Sequence, residues 1–280
     1  MRSPISKALL QGNARKSSNG AAEIRDAFKD MMLENDPDFG SFTEKEILDG
    51  YEVTQDDGST FPGKHRCVTQ KVGTIKSLYI GLQHGEVYLW KNGSILNWTA
   101  RKDGYPSHED ALLAARGVYT ATKAWEKLLG GRVQFKYTSI FNDACFQVLY
   151  GGENGNVLAS AFFPDDYRDI LNELYVYQLQ FEPEHKDTIA NTMAHEIGHV
   201  LGLRHEFAEA EDLKYNVESI FYGIRNPDSV MANTQIPKIQ PSDVKYTNEI
   251  YDKLHDGKVL TGTINNVTIT KTVFRVSPDN

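Results

Sequence analysis

The sequence predicts an α+β fold, in which a mixed sheet is combined with a long helix, a second helix that carries histidines, and a C-terminal helix. Three observations predict it. Strand-like runs fill residues 78–100 around a turn signal. An uninterrupted helical pattern follows between Ser107 and Gly131. Further strand-like runs then alternate with two more helical patterns, and elements mixed in this way are typical of this fold class.

The first two strand-like runs cover residues 87–90 and 95–98. Asn92-Gly93 lies between them, and this pair favours the tight turns of β-hairpins. We therefore expect the two runs to pair as a hairpin.

The long helix has a clear start and end. Ser107 is an expected N-cap, Glu109 and Asp110 place acidic groups in the first turn, and Gly130-Gly131 ends the helix. Helical spacing predicts a core-facing side made of Leu112, Ala115, Tyr119, Thr122, Trp125 and Leu129.

Four more strands are predicted at residues 133–137, 145–150, 157–163 and 174–181. Asp187 or Thr188 is then expected to cap the histidine-bearing helix. Ser242-Asp243 is expected to cap the C-terminal helix, which runs to Leu254 with Val244, Thr247, Ile250 and Leu254 inward. The alternating tail at residues 259–276, with Asn265-Asn266 as its turn, predicts an added hairpin.

Composition excludes two classes of partner. At 280 residues and 40% hydrophobic content the chain can bury a sizeable core. A net charge of −8 offers no basic surface for nucleic acid. No apolar run approaches the roughly 20 residues that cross a bilayer, so we expect no membrane partner.

A metal-binding pattern occupies residues 193–206, MAHEIGHVLGLRHE. His195 and His199 are four residues apart, which places both imidazoles on one helix face, one turn apart. Glu196 lies about 100° around the helix from His195, close enough to reach a metal-bound water without being a ligand. The expected role of Glu196 is proton transfer.

A third histidine, His205, follows His199 by six residues, and a continuing helix would carry it to the wrong side. Gly202 can adopt a positive φ, end the helix and return His205 toward the other two rings. Three neutral imidazoles that leave a fourth position to water describe a catalytic zinc site. We therefore predict Zn²⁺ as the cofactor.

The same residues resemble the metzincin zinc peptidases, whose pattern is His195-Glu196-x-x-His199-x-x-Gly202-x-x-His205. The methionine turn of that family has a candidate in Ser229-Val230-Met231. The resemblance covers about residues 78–254. It implies a zincin-like fold, a zinc-dependent endopeptidase with Glu196 as general base, and packing of Met231 beneath the metal without ligation.

Residues 158–164, LASAFFP, are similar to the matrixin edge strand that borders the active-site cleft. If they form that edge, the backbone of Ala159, Ser160 and Ala161 binds an extended protein or peptide substrate. The alternative is an ordinary interior strand. By the same resemblance, residues 236–240 form the wall of the pocket for the residue that follows the scissile bond.

The predicted organisation has an N-terminal extension at 1–76, a peptidase domain at 77–258 and a hairpin tail at 259–280. The extension raises the question of an inhibitory pro-segment, because metzincins are typically made with one. Cys67 faintly resembles the inhibitory matrixin cysteine, although nothing after it matches, and a buried structural cysteine is the alternative. Cys67 and Cys145 allow one disulfide or two thiols.

Several alternatives stay open. The family is mostly exported, yet residues 1–20 lack the apolar core of a signal peptide, so the compartment is undecided. Glu206 resembles astacins and the edge strand resembles matrixins, so no subfamily is assigned. Asn233 stands where astacins place a tyrosine.

The acidic residues Glu209, Glu211 and Asp212 are a calcium site or a solvated face. We expect a monomer. A silent zinc-containing module that binds or inhibits peptides is the alternative function, and a zymogen is a third.

Overall fold

A computed structural model describes residues 79–83, 86–138, 141–164, 171–206, 218–232, 236–258 and 271–275. Several predictions concern residues outside these ranges and are not tested by the structure. They are the extension at 1–76 with Cys67, the residues Glu209, Glu211, Asp212 and Asn233, and the turn Asn265-Asn266.

The described strands, in chain order, are β1 (Tyr79–Gln83), β2 (Glu86–Trp90), β3 (Ser94–Ala100), β4 (Val133–Tyr137), β5 (Phe146–Tyr150), β6 (Ala159–Ser160), β7 (Asn172–Val176), β8 (Leu203–Arg204), β9 (Glu218–Phe221) and β10 (Lys271–Arg275). The described helices are α1 (His108–Leu128), α2 (Pro183–Lys186), α3 (Ile189–Val200) and α4 (Pro241–His255). The mixture of strands and helices confirms the predicted mixed fold class, including the long helix, the histidine-bearing helix and the C-terminal helix.

One sheet has the strand order β4-β3-β5-β7-β6. Its first four strands are parallel, and β6 pairs with β7 antiparallel. The predicted mixed sheet is therefore present. Alternate residues of its four parallel strands are buried in the core: Leu96, Trp98, Val133, Phe135, Phe146, Val148, Leu174 and Val176.

The predicted hairpin at Asn92-Gly93 is wrong. The turn forms, with Gly93 at a φ of +85°, but β2 and β3 belong to different sheets. β3 already has a parallel neighbour on each side, β4 and β5, so it has no edge left for β2. The turn carries the chain from one sheet to the other.

The second sheet has the order β10-β2-β1-β8, and β9 also pairs with β1. Lys271 to Arg275 lie beside Glu86 to Trp90 in a parallel pairing. This described part of the tail is thus a strand of the main fold. The predicted partner strand at residues 259–270 lies outside the described residues.

Helix α1 begins and ends where the sequence predicts. The Ser107 side chain accepts a hydrogen bond from the Asp110 amide, and Gly130 and Gly131 follow the last turn with positive φ. Four of the six residues predicted to face the core are buried: Ala115, Thr122, Trp125 and Leu129. Leu112 and Tyr119 are half-buried, and the buried face also includes Ala114, Val118 and Ala121.

α1 approaches α3 closely because Gly117 has no side chain. A Cβ there would lie 3.1 Å from Ile189 Cγ1 and 3.2 Å from Met193 Cγ.

Three element boundaries differ from the prediction. The strand predicted at 174–181 ends at Val176, and a 3₁₀ turn at Gln178–Phe181 replaces its second half. The strand predicted at 157–163 is reduced to β6. Helix α4 is capped by Gln240 instead of Ser242, because Pro241 occupies the first helical position and Asp243 closes a capping box with Gln240. Among the described residues, no helix is long and apolar enough to cross a membrane.

Candidate metal centre

The structure brings the three predicted histidines together. The Nε2 atoms of His195 and His199 are 3.2 Å apart, and those of His195 and His205 are 3.1 Å apart. All three rings are buried, with exposures of 4% or less. In the part of the chain that is described, these residues form the one group of histidine, cysteine or acidic side chains that can hold a metal ion.

Helix α3 and the turn after it place the rings as predicted. α3 carries His195 and His199 one turn apart and ends at Val200. Gly202 has a φ of +98°, a conformation that L side chains rarely adopt, and it reverses the chain into β8. His205 follows β8 directly and returns to the face of α3.

Backbone carbonyls fix the orientation of two rings. The Nδ1 atom of His195 lies 2.7 Å from the Val230 carbonyl oxygen, and that of His199 lies 2.7 Å from the Leu203 carbonyl oxygen. A carbonyl can only accept, so both Nδ1 atoms carry the proton. The Nε2 lone pairs of these rings therefore point into the space shared by the three histidines.

This arrangement fits a small cation. Two nitrogen ligands held tetrahedrally at about 2.05 Å from a zinc ion lie about 3.3 Å apart, close to the separations observed here. Without a cation, unprotonated nitrogens at that distance repel each other. The carbonyl contacts also match the outer hydrogen bonds that orient histidine ligands in metal sites.

Burial holds the histidines in the neutral form that a metal requires. It lowers the pKa of His195 from 6.5 to about 4, against a smaller opposing effect of the Val230 carbonyl. The pKa values of His199 and His205 are also lowered well below 6.5, first by burial and then by the neighbouring rings and Arg204. The three rings are thus neutral at physiological pH.

Met231 packs directly against α3. A Cβ built on Gly198 would lie 2.3 Å from Met231 Sδ, so the methionine occupies the space that a side chain would take. The Met231 carbonyl accepts from the Glu206 amide, and Ser229 Oγ accepts from the Met231 amide. The predicted methionine turn therefore lies under the histidine-bearing helix, next to His199.

Three aromatic side chains donate hydrogen bonds to backbone carbonyls of α3 and its end. Trp90 Nε1 donates to Val200, Trp125 Nε1 to Ala194 and Tyr251 OH to Leu201, at 2.7, 2.9 and 3.1 Å. The last carbonyls of a helix have no partner within it, so the bonds from Trp90 and Tyr251 fix the segment that leads to Gly202. Trp125 is buried as the sequence predicts, whereas none of the three bonds is predictable from the sequence.

Glu196 is on α3 directly after His195 and is 1% exposed. A carboxylate this deeply buried is costly unless it has a charged or hydrogen-bonding partner. Glu196 is on the helix that carries His195 and His199, and its role in proton transfer stays a prediction.

Two further carboxyl groups, those of Glu206 and Asp243, are buried near the methionine turn and were not predicted as site residues. Glu206 Oε1 accepts from the Asn226 amide, and burial raises the pKa of Glu206 to about 8. Asp243 Oδ2 accepts from the amides of Val230 and Gln240, both at 2.8 Å, and burial raises its pKa as well. From the sequence, Asp243 is predicted only as part of a helix cap, because its contact with Val230 depends on the tertiary fold.

The predicted edge segment borders the metal centre. β6 is the last strand of its sheet, as predicted, and pairs only with β7 among the described strands. Ala159 and Ser160 are buried, and Ala161 is half-buried. The ring of Phe163, two residues further on, packs edge-on against His199 with centroids 5.2 Å apart.

The geometry defines a mixed α/β protein with three buried histidines that can hold a metal ion. No protein-family model matches the sequence, and no curated protein matches it. The function is therefore inferred from the site itself.

Proposed function

We propose that this protein is a zinc-dependent metalloendopeptidase of the metzincin type. The observation that carries the proposal is the convergence of three buried imidazoles, two of which present an unprotonated Nε2 because their Nδ1 atoms donate to backbone carbonyls. Three imidazoles suit zinc, and three protein ligands leave a fourth position for water, as catalytic zinc sites do. When bound there, zinc supplies a Lewis acid that polarises a carbonyl group and lowers the pKa of water.

Glu196 is the proposed general base. It takes a proton from the attacking water and passes that proton to the leaving nitrogen of the peptide. The Val230 and Leu203 carbonyls keep the rings of His195 and His199 in the ligand orientation throughout. Met231 supports α3 by packing and is not a ligand.

The substrate is a protein or peptide in extended conformation. β6 is at the edge of its sheet, and the segment that follows it reaches His199 through Phe163. An extended chain laid along Ala159, Ser160 and Ala161 would therefore pass the metal centre. Pairing of backbone groups gives affinity that depends little on substrate sequence.

Assignment to the metzincins is supported by two features that are independent of each other. One is the pattern of five residues, His195, Glu196, His199, Gly202 and His205, whose three histidines lie together. The other is Met231, which is distant in sequence and yet packs at Gly198.

Digestion of a proteome-derived peptide library by the zinc-loaded protein tests the proposal. We expect cleavage that a chelator abolishes and that Glu196→Gln lowers by at least about 10³-fold, the upper part of the range for general-base catalysis. Zinc content should be unchanged in that variant, because Glu196 is not a ligand. Glu184→Gln, at an exposed position on α2, is the matched control and should cleave normally.

Equal cleavage by wild type and Glu196→Gln would refute the enzyme assignment. Zinc binding with no cleavage by either would favour the silent peptide-binding or inhibitory module. Cleavage that begins only after removal of residues 1–76 would identify a zymogen.

A further inference from the structure

The chain that leaves α3 determines the placement of two of the three histidines. It comprises residues 200–205, which we call the return segment. His205 is its last residue, and the Leu203 carbonyl within it accepts a hydrogen bond from Nδ1 of His199. A displacement of the return segment would therefore move the ring of His205 and release the ring of His199.

The two ends of the return segment are held by different parts of the fold. Near its far end, strand β8 pairs antiparallel with β1. At its start, Trp90 Nε1 donates to the Val200 carbonyl at 2.7 Å. The Tyr251 hydroxyl donates to the next carbonyl, that of Leu201, at 3.1 Å. Two consecutive carbonyls are thus held directly before Gly202, where the chain reverses.

Tyr251 is itself fixed by the C-terminal part of the described chain. It lies on α4, is fully buried, and stacks against the ring of His255 with centroids 5.7 Å apart. Nδ1 of His255 donates to the Tyr251 carbonyl, and its Nε2 accepts from the Asn92 amide. The other neighbour of the His255 ring is Phe274 of β10, at a centroid distance of 4.2 Å. The position from which Tyr251 donates is therefore set by α4, β10 and the turn after β2.

We propose that Tyr251 is a positioning residue for the metal ligands, which holds the return segment so that His199 and His205 keep the geometry that a metal ion requires. This inference rests on the metal binding that the proposed function requires, and it does not depend on peptidase activity. Tyr251 acts through the Leu201 carbonyl.

The size of the effect follows from the bond that is lost. Leu201 is fully buried, so its carbonyl loses a donor in a place where leaving a polar group unsatisfied is costly. Changes at groups that orient metal ligands typically lower metal affinity by about 10–100-fold. Tyr251 is further from the ligands than such groups, so we expect the lower end of that range.

The test compares wild type with Tyr251→Phe in the full-length protein. Phenylalanine keeps the ring that stacks on His255 and removes only the hydroxyl. Tyr246→Phe is the matched control, because Tyr246 is a buried tyrosine on the same helix whose ring packs against Tyr222. Three properties are measured: zinc affinity by competition with a chelator, the visible absorption spectrum of the Co²⁺-loaded protein, and hydrogen exchange at the amides of residues 202–204 in the metal-free protein.

For Tyr251→Phe we expect zinc affinity to fall about tenfold. The Co²⁺ absorption bands should shift or change in intensity, because they depend on the arrangement of the ligands around the ion. Hydrogen exchange at residues 202–204 should rise about tenfold, the factor for one buried hydrogen bond. Tyr246→Phe should change none of these properties.

A purely structural role of Tyr251 would lower the free energy of unfolding but leave zinc affinity and the Co²⁺ spectrum at their wild-type values, and that result would overturn the inference. Equal losses of zinc affinity in Tyr251→Phe and Tyr246→Phe would also overturn it, because the effect would not be specific to the return segment. Failure of the wild type to bind zinc or Co²⁺ would refute the inference and the proposed function together. The expected loss of affinity in Tyr251→Phe, combined with a zinc-loaded wild type that cleaves no peptide, would support the inference and refute the peptidase alone.

Discussion

Replacing Gly198 with alanine sets a methyl group against Met231 beneath the metal centre. The new Cβ would lie 2.3 Å from Met231 Sδ and 3.2 Å from its Cε. Carbon and sulfur atoms in contact need well over 3 Å, so the methionine must leave its position. Met231 is fully buried, which leaves it little room to do so.

Two opposing free energies set the expected result. Forcing a buried side chain to move costs about 1–3 kcal/mol, and alanine gains about 1 kcal/mol over glycine inside a helix. We therefore expect Gly198→Ala to lower the free energy of unfolding by up to about 2 kcal/mol. In a Met231→Ala background the clash is absent, so the same substitution should raise that free energy by about 1 kcal/mol.

Urea unfolding of the four proteins in this double-mutant cycle measures the coupling between the two sites. The predicted signature is a change of sign, with a coupling free energy of about 1–3 kcal/mol. Met231→Ala alone should lower the free energy of unfolding by about 2–5 kcal/mol, the usual effect of truncating a buried methionine to alanine. If Gly198→Ala were equally destabilising with and without Met231, the described contact between Met231 and Gly198 would be refuted.

Three further predictions concern the same site. Gly202→Ala should lower the free energy of unfolding by at least about 1 kcal/mol, because Gly202 has a φ of +98°. It should also weaken zinc binding, measured by competition with a chelator, because Gly202 directs His205 toward the other two histidines. Trp90→Phe should lower the free energy of unfolding by about 1–3 kcal/mol, because the Val200 carbonyl loses its donor; a value near zero would contradict this.

Acid should destabilise the metal-free protein between pH 6.5 and about 4, because the unfolded chain binds more protons there than the folded chain with its lowered His195 pKa. The lowered pKa of His195 alone accounts for a loss of about 3 kcal/mol in the free energy of unfolding across this pH range. His195→Gln should therefore flatten the pH profile of unfolding in that window.

The cluster of three histidines was predictable because its members lie within eleven residues of sequence. The four-residue spacing of His195 and His199 needs only helix geometry, and Gly202 indicates the turn that returns His205. The hydrogen bonds that orient the rings were not predictable. The acceptors are carbonyls, which every residue carries, so nothing in the sequence marks Val230 or Leu203 as partners.

The hairpin error has a related cause. Asn92-Gly93 specifies a tight turn, and that turn forms, but local turn chemistry does not determine which strands pair. The partners of β3 are β4 and β5, which follow the long helix α1 in sequence. Similarly, nothing in the sequence of β10 indicates that it lies beside β2.

The pairing of β10 with β2 connects the last described strand to the metal centre. Lys91 donates to the Arg275 carbonyl, and the Arg275 guanidinium covers the ring of Trp90, which in turn holds the end of α3. A shortened protein that stops after α4 would leave one edge of β2 open, and an open edge invites association with other chains. Aggregation and poor zinc loading should therefore accompany C-terminal truncation, even though every ligand is retained.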